Sequence, residues 1–165
     1  MTGSHTLVET EARVSHRLSH MTLDFEAMAV THNLFRAASA VRNHLERNVL
    51  SESGLSWTAF VVLWVTWIWE PVETRVVALE SGISKATLTG VLSTLEKLDF
   101  AVRTRSPEDG RRVLVTLTDA GRALMEELFP AFNLQEVDLV SHVPVENRTE
   151  LATMLRQLIS YTEQA

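Results

Sequence analysis

Residues 83–121 read ISKATLTGVLSTLEKLDFAVRTRSPEDGRRVLVTLTDAG, and the apolar pattern changes period inside this stretch. From Lys85 to Leu98 the spacing is helical: Leu88, Leu92, Leu95 and Leu98 share one face, and Ser84 is placed to cap the start. At Phe100 the pattern changes to short apolar–polar alternation rich in β-branched residues. It covers Ala101 to Arg105 and Arg112 to Leu117, with the turn sequence Ser106-Pro107-Glu108-Asp109-Gly110 between them. This predicts a β-hairpin. Thr118 then caps another helix.

Upstream, Ser56 caps a predicted helix that Pro71 ends near Glu70. Glu73 to Glu80 fits a second short helix, and Ser81-Gly82-Ile83 is a tight turn into the third, with glycine free to take the left-handed conformation. Three short helices followed by a hairpin describe a winged helix-turn-helix. On the flanks, Met21 to Leu50 lacks Pro and Gly and carries two apolar faces. Met21, Phe25, Met28, His32 and Phe35 mark one, and Leu34, Ala38, Val41 and Leu45 the other. A helix with two apolar faces packs on its own domain and on a partner chain. Ser51-Glu52-Ser53-Gly54 reads as a loop. The helix after Thr118 runs to Val140 with Leu124, Leu128 and Phe132, kinked at Pro130. A last helix from Pro144 to Tyr161 carries Leu151, Met154, Leu155, Leu158 and Ile159.

The fold class is therefore mainly α with a small β-hairpin wing. Residues 51–118 form the winged helix-turn-helix, residues 21–50 and 119–165 a helical dimerisation region, and residues 1–20 a polar N-terminal extension that reads as a frayed or short helix. Gly3-Ser4-His5 is given no function.

The chain has 165 residues and a net charge of −6. It has no cysteine, which excludes disulfides, thiolate metal sites and thiol redox sensing. No apolar run reaches the length of a membrane span, and the N-terminus lacks an apolar signal core, so a cytoplasmic protein without membrane contact is expected. An acidic total argues against a nonspecific nucleic-acid coat and requires any nucleic-acid site to be local. Residues 84–115 hold six bases (Lys85, Lys97, Arg103, Arg105, Arg111, Arg112) against four acids, a net of +2 that leaves −8 on the rest.

SKATLTGVLSTLEKLDFAVR and DGRRVLVTLTDAG together resemble the recognition helix and wing of the MarR family of bacterial transcription regulators, over about residues 22–162. The resemblance implies a sequence-specific regulator, a repressor, bound as a homodimer to a pseudo-palindrome in double-stranded DNA. Ser84, Lys85, Thr87 and Thr89 open the helix that would enter the major groove, where small polar side chains approach bases closely. Arg111 falls on the family's wing arginine, which would reach the minor groove, and Asp109 on the aspartate that would orient it by a salt bridge. Arg112 adjoins, and Arg103 and Arg105 add charge along the first wing strand. The chain departs from the family pattern twice: Asp99 stands where glycine is usual, and Gly90 stands in the recognition helix where a polar or cationic residue is common.

MarR-like proteins often answer small aromatic acids. Trp57, Trp64, Trp67 and Trp69 are all four tryptophans, and Trp64 and Trp67 neighbour each other on one helix. His32 and Arg36 lie four apart on the first long helix, and Arg36 suits a carboxylate. These four residues (His32, Arg36, Trp64, Trp67) are the candidate ligand site, although aromatics at helical spacing more often form core. His16 and His20 would chelate a metal if helical, but no metal-binding motif appears, and no metal or cofactor is expected. There is no phosphate loop and no nucleophile motif, so the chain is not expected to be an enzyme. The rivals are a winged-helix module for protein partners and a metal-responsive regulator.

Overall fold

The structure is a computed structural model and describes residues 5–164; Gly3 and Ser4 of the N-terminal extension lie outside it. The chain divides into two compact units, Met1–Asn43 and His44–Ala165.

In the first unit, helix α1 spans Leu7–Arg17. Thr6 and Glu9 form a reciprocal capping box: Glu9 N–H donates to Thr6 Oγ1 at 3.2 Å, and Thr6 N–H donates to Glu9 Oε2 at 2.7 Å. Those bonds hold the Glu9 carboxyl below the usual carboxylate range. Helix α2, Phe25–Leu45, begins four residues later than its apolar pattern suggests, because Asp24 Oδ1 accepts from Ala27 N–H at 2.9 Å and fixes the start there. Asn33 Nδ2 donates to Glu11 Oε1 at 2.6 Å and ties α1 to α2.

Beyond Leu45 the helix does not stop at the serines. A π-helical turn, Glu46–Leu50, leads into a short helix α3, Ser51–Ser53, and the chain turns out at Gly54. Ser51 and Ser53 donate their hydroxyls back to Arg47 O and Leu50 O, at 2.7 and 2.8 Å. The residues expected as a loop thus satisfy themselves inside the helix.

Helix α4, Trp57–Trp69, is capped by Ser56 as its sequence predicts. It ends before Pro71 and is followed by a strand β1, Val72–Glu73, and helix α5, Thr74–Glu80. The recognition helix α6 spans Lys85–Lys97, and strands β2, Ala101–Arg105, and β3, Val113–Leu117, form the wing. The sheet has three strands in the order β1-β3-β2, all antiparallel, rather than the two of a bare hairpin. Val72 pairs with Val115 and Arg103 with the same residue from the other side. Helix α7, Asp119–Leu139, continues through Pro130, and α8 spans Val145–Gln164.

The core lies under the recognition helix. Leu50, Val62, Leu63, Val77, Leu88, Leu92, Leu95, Val115 and Met125 are almost fully buried. Leu88, Leu92 and Leu95 point inward, so the opposite face of α6 is turned to solvent. Between α4 and α7 runs an aromatic ladder: Trp64 stacks on Phe129 at 4.6 Å and Phe60 on Phe132 at 4.4 Å. Among the described residues, no single helix is long and apolar enough to cross a membrane.

Candidate nucleic-acid interface

The helix-turn-helix angle is set at Gly82, whose φ of +64° is a left-handed conformation that only glycine adopts without cost. Ile83 N–H donates to Ala78 O at 3.0 Å across the turn. This delivers Ser84 as the cap of α6, with Thr87 N–H donating to Ser84 Oγ at 3.1 Å. The Ser84 and Thr87 hydroxyls are themselves 2.8 Å apart, and Thr89 Oγ1 donates to Lys85 O at 2.9 Å. All three hydroxyls are exposed yet locally held, which fixes their rotamers before any ligand arrives. Lys85 is exposed beside them, and Gly90 leaves open space on the same helix.

The wing is locked to α6 at two points. Asp99 takes a φ of +58°, the left-handed turn that glycine would otherwise supply, and Phe100 N–H then donates to Leu95 O at 2.9 Å. Arg103 clamps Glu96: its Nε donates to Glu96 Oε1 at 2.9 Å and its Nη2 to Oε2 at 2.5 Å. The Arg103 hydrogen bonds hold the Glu96 carboxyl below the usual carboxylate range. Arg103 was expected among the DNA contacts; its guanidinium is committed to the recognition helix.

At the wing tip, Asp109 Oδ1 accepts the Arg111 backbone N–H at 3.0 Å, but the Asp109 ion pair is with Arg112, at 3.4 Å, and not with the Arg111 side chain as expected. Arg112 also donates to Glu73 Oε1 at 3.0 Å. Arg112 is thus held between two carboxylates. Among the described residues, the exposed side chains of Arg111, Arg105 and Lys85 form no ion pair.

These parts converge on a groove of about 610 Å³ in which Lys85 of α6 meets Arg111 and Arg112 of the wing, with Arg75 and Glu73 on the wall. Arg75 and Glu73 escaped the reading from sequence. Arg75 precedes the stretch whose charge balance marks the wing, and only the three-strand sheet brings it there. Glu70 escaped too. It accepts from Leu117 N–H at 2.6 Å and pairs with Arg122, tying the end of α4 to β3 and α7. Nothing in its spacing marks that role.

The candidate ligand residues fall as follows. His32 and Arg36 are exposed and line a groove of about 480 Å³ between α1 and α2, with Phe25, Met28 and Phe35. Trp64 and Trp67 are half-buried, edge to face at 5.9 Å, and both pack on Phe129. His16 lies in the last turn of α1 and His20 beyond its end, so the two do not share a helical face. Among the described residues, no three His, Cys, Asp or Glu side chains gather as a metal site.

Residues 44–128 match the family model described as transcriptional regulator SarA/Rot. The chain is 39% identical over 137 residues to the HTH-type transcriptional regulator YwaE of Bacillus subtilis, covering 83% of this chain and 80% of that one. Its fold is similar to that of Bordetella bronchiseptica BpsR, whose DNA binding is regulated by 6-hydroxynicotinic acid (TM-score 0.70, 30% identity, 78% of this chain and 91% of that one). It is also similar to that of a MarR-family transcriptional regulator from Rhodococcus (TM-score 0.72, 22% identity, 80% and 93%).

Proposed function

Because the chain belongs to the SarA/Rot family of transcriptional regulators, built on the MarR-type winged helix, we propose that it is a cytoplasmic homodimeric repressor. Each protomer lays α6 in a major-groove segment of a pseudo-palindromic operator, with half-sites about 10 bp apart. Ser84, Lys85, Thr87 and Thr89 face the bases and nearby phosphates. Arg111 extends from the wing into the flanking minor groove. Arg105 attracts phosphates, Arg112 and Arg75 offer them hydrogen-bond donors, and Arg103 acts indirectly by holding the wing against α6. The observation that carries this reading is the groove that joins Lys85 to Arg111 and Arg112 in a chain whose net charge is −6.

The test is Arg111→Ala. It should weaken operator binding by about 1–3 kcal/mol with the melting curve and oligomeric state unchanged. Unchanged affinity in a folded variant would count against the wing assignment.

Dimerisation is supported by what the helices leave uncovered. Among the described residues of α8 none is buried, and Leu151, Met154, Leu158 and Ile159 are exposed. Leu34, Phe35 and Val41 of α2 are exposed too. We further propose that an aromatic carboxylic acid releases the DNA, with Arg36 as its counter-ion beside His32; Trp64 and Trp67, expected in the same site, pack on Phe129 and do not line that groove. BpsR, regulated by such an acid, supports the ligand class. The apolar groove with its few polar anchors supports the place. Adding aromatic acids to the protein–DNA complex tests it, with release expected for the wild type and lost in Arg36→Ala.

A further inference from the structure

Glu73 lies on the wall of the basic groove and is fixed there. Its backbone pairs in β1 opposite Leu114 of β3. It occupies the N-cap of α5 without capping it; the carboxylate is spent on two arginines instead. Oε2 accepts from Arg75 Nε at 2.6 Å and Oε1 from Arg112 Nη1 at 3.0 Å. The Glu73 side chain is 19% exposed, against 80% for Arg75 and 54% for Arg112, so the guanidinia are the more accessible partners.

The charge balance follows directly. Arg75 and Arg112 are matched by Glu73 and Asp109, so this part of the groove carries no net charge, and Lys85 and Arg111 supply the attraction for DNA. Among the described residues, the terminal nitrogens of Arg75 donate no hydrogen bond, while its Nε is bound to Glu73. The pairing therefore leaves its terminal donors available and cancels its charge. Phosphate affinity follows charge neutralised, whatever the base sequence.

We propose that Glu73 is an electrostatic brake on DNA binding: a fixed carboxylate that lowers affinity for every duplex alike and leaves the base-reading face of α6 untouched. This inference rests on the DNA-binding reading above. The Arg75 hydrogen bond, with the charges of Arg75 and Arg112 behind it, holds the Glu73 carboxyl below the usual carboxylate range, so the brake is charged at neutral pH.

The experiment uses the full chain and a scrambled duplex of about 30 bp, roughly three helical turns, read by fluorescence anisotropy over a salt series. Two variants are measured with the wild type. Glu73→Gln keeps the length and one acceptor. Glu73→Ser places a good capping residue at a helix N-cap, so it protects the fold. Each should bind about fivefold tighter near 0.15 M salt, with a log–log salt slope steeper by about 0.9 per protomer, or about 1.8 for the dimer, as for one more neutralised phosphate in each protomer. The gain should be the same on any duplex. Folded variants that bind no tighter than a wild type that does bind overturn the brake and leave the DNA-binding reading standing. A wild type that binds no duplex even at low salt removes both.

Discussion

Two single residues decide whether the wing sits where it can work, and both are visible in the sequence for different reasons. Asp99 breaks the expected glycine at the end of α6, yet it adopts the left-handed conformation that glycine would supply. A short polar side chain tolerates that region better than a branched one. Gly121 is constrained by proximity: a Cβ there would fall 1.9 Å from the Phe100 carbonyl oxygen, which is backbone and cannot swing aside. Gly121→Ala should therefore cost at least about 2 kcal/mol, read as a lower midpoint in denaturant unfolding. An unchanged midpoint would mean that α7 is not docked against the wing as described. The partner of Asp109 could not be read in this way. Arg111 and Arg112 are adjacent and identical in type, and which one is held depends on Glu73, 39 residues from Arg112 in the chain.

At the scale of elements, the recognition helix and the wing were legible because their periods differ. Leu88, Leu92 and Leu95 are the buried side of α6, as their spacing predicts. Strand β1 was not legible: two residues after Pro71 are too few to show alternation. The end of α2 was misread because Ser and Gly mark loops on average, whereas here Ser51 and Ser53 bond to the preceding turn. The Arg103–Glu96 clamp joins two elements whose patterns were each correct but whose contact was invisible. Arg103→Ala should destabilise the fold by about 1–2 kcal/mol, since the pair is bidentate and two-thirds buried. Glu96 has a lowered pKa in the folded state, so its contribution is present above the ordinary glutamate value of 4.5 and is lost as the pH falls through and below it. The gap between wild type and Arg103→Ala in thermal melts should therefore narrow on acidification. A gap independent of pH would contradict the clamp.

For the whole molecule, the chain is acidic and the bases of the wing region are concentrated locally, so the proposed DNA binding should depend steeply on salt and on two recognition helices acting together. One copy provides one recognition helix. In the proposed homodimer the exposed apolar residues of α8 receive the second copy, so Leu158→Glu, which puts a charge on that face, should shift sedimentation from dimer to monomer and cost at least tenfold in operator affinity. A dimer that survives that change would move the interface elsewhere.

The proposed function stands or falls with sequence-specific DNA binding by this groove. The most direct measurement is anisotropy titration of the wild-type protein against duplexes tiled across the region upstream of its own gene, near physiological salt. Saturable binding to one palindromic tile, with much weaker binding to the others, is the predicted result. Flat, equally weak binding to every tile would contradict a sequence-specific site in that region and turn attention to a remote operator, a ligand needed for binding, or protein partners of the winged helix.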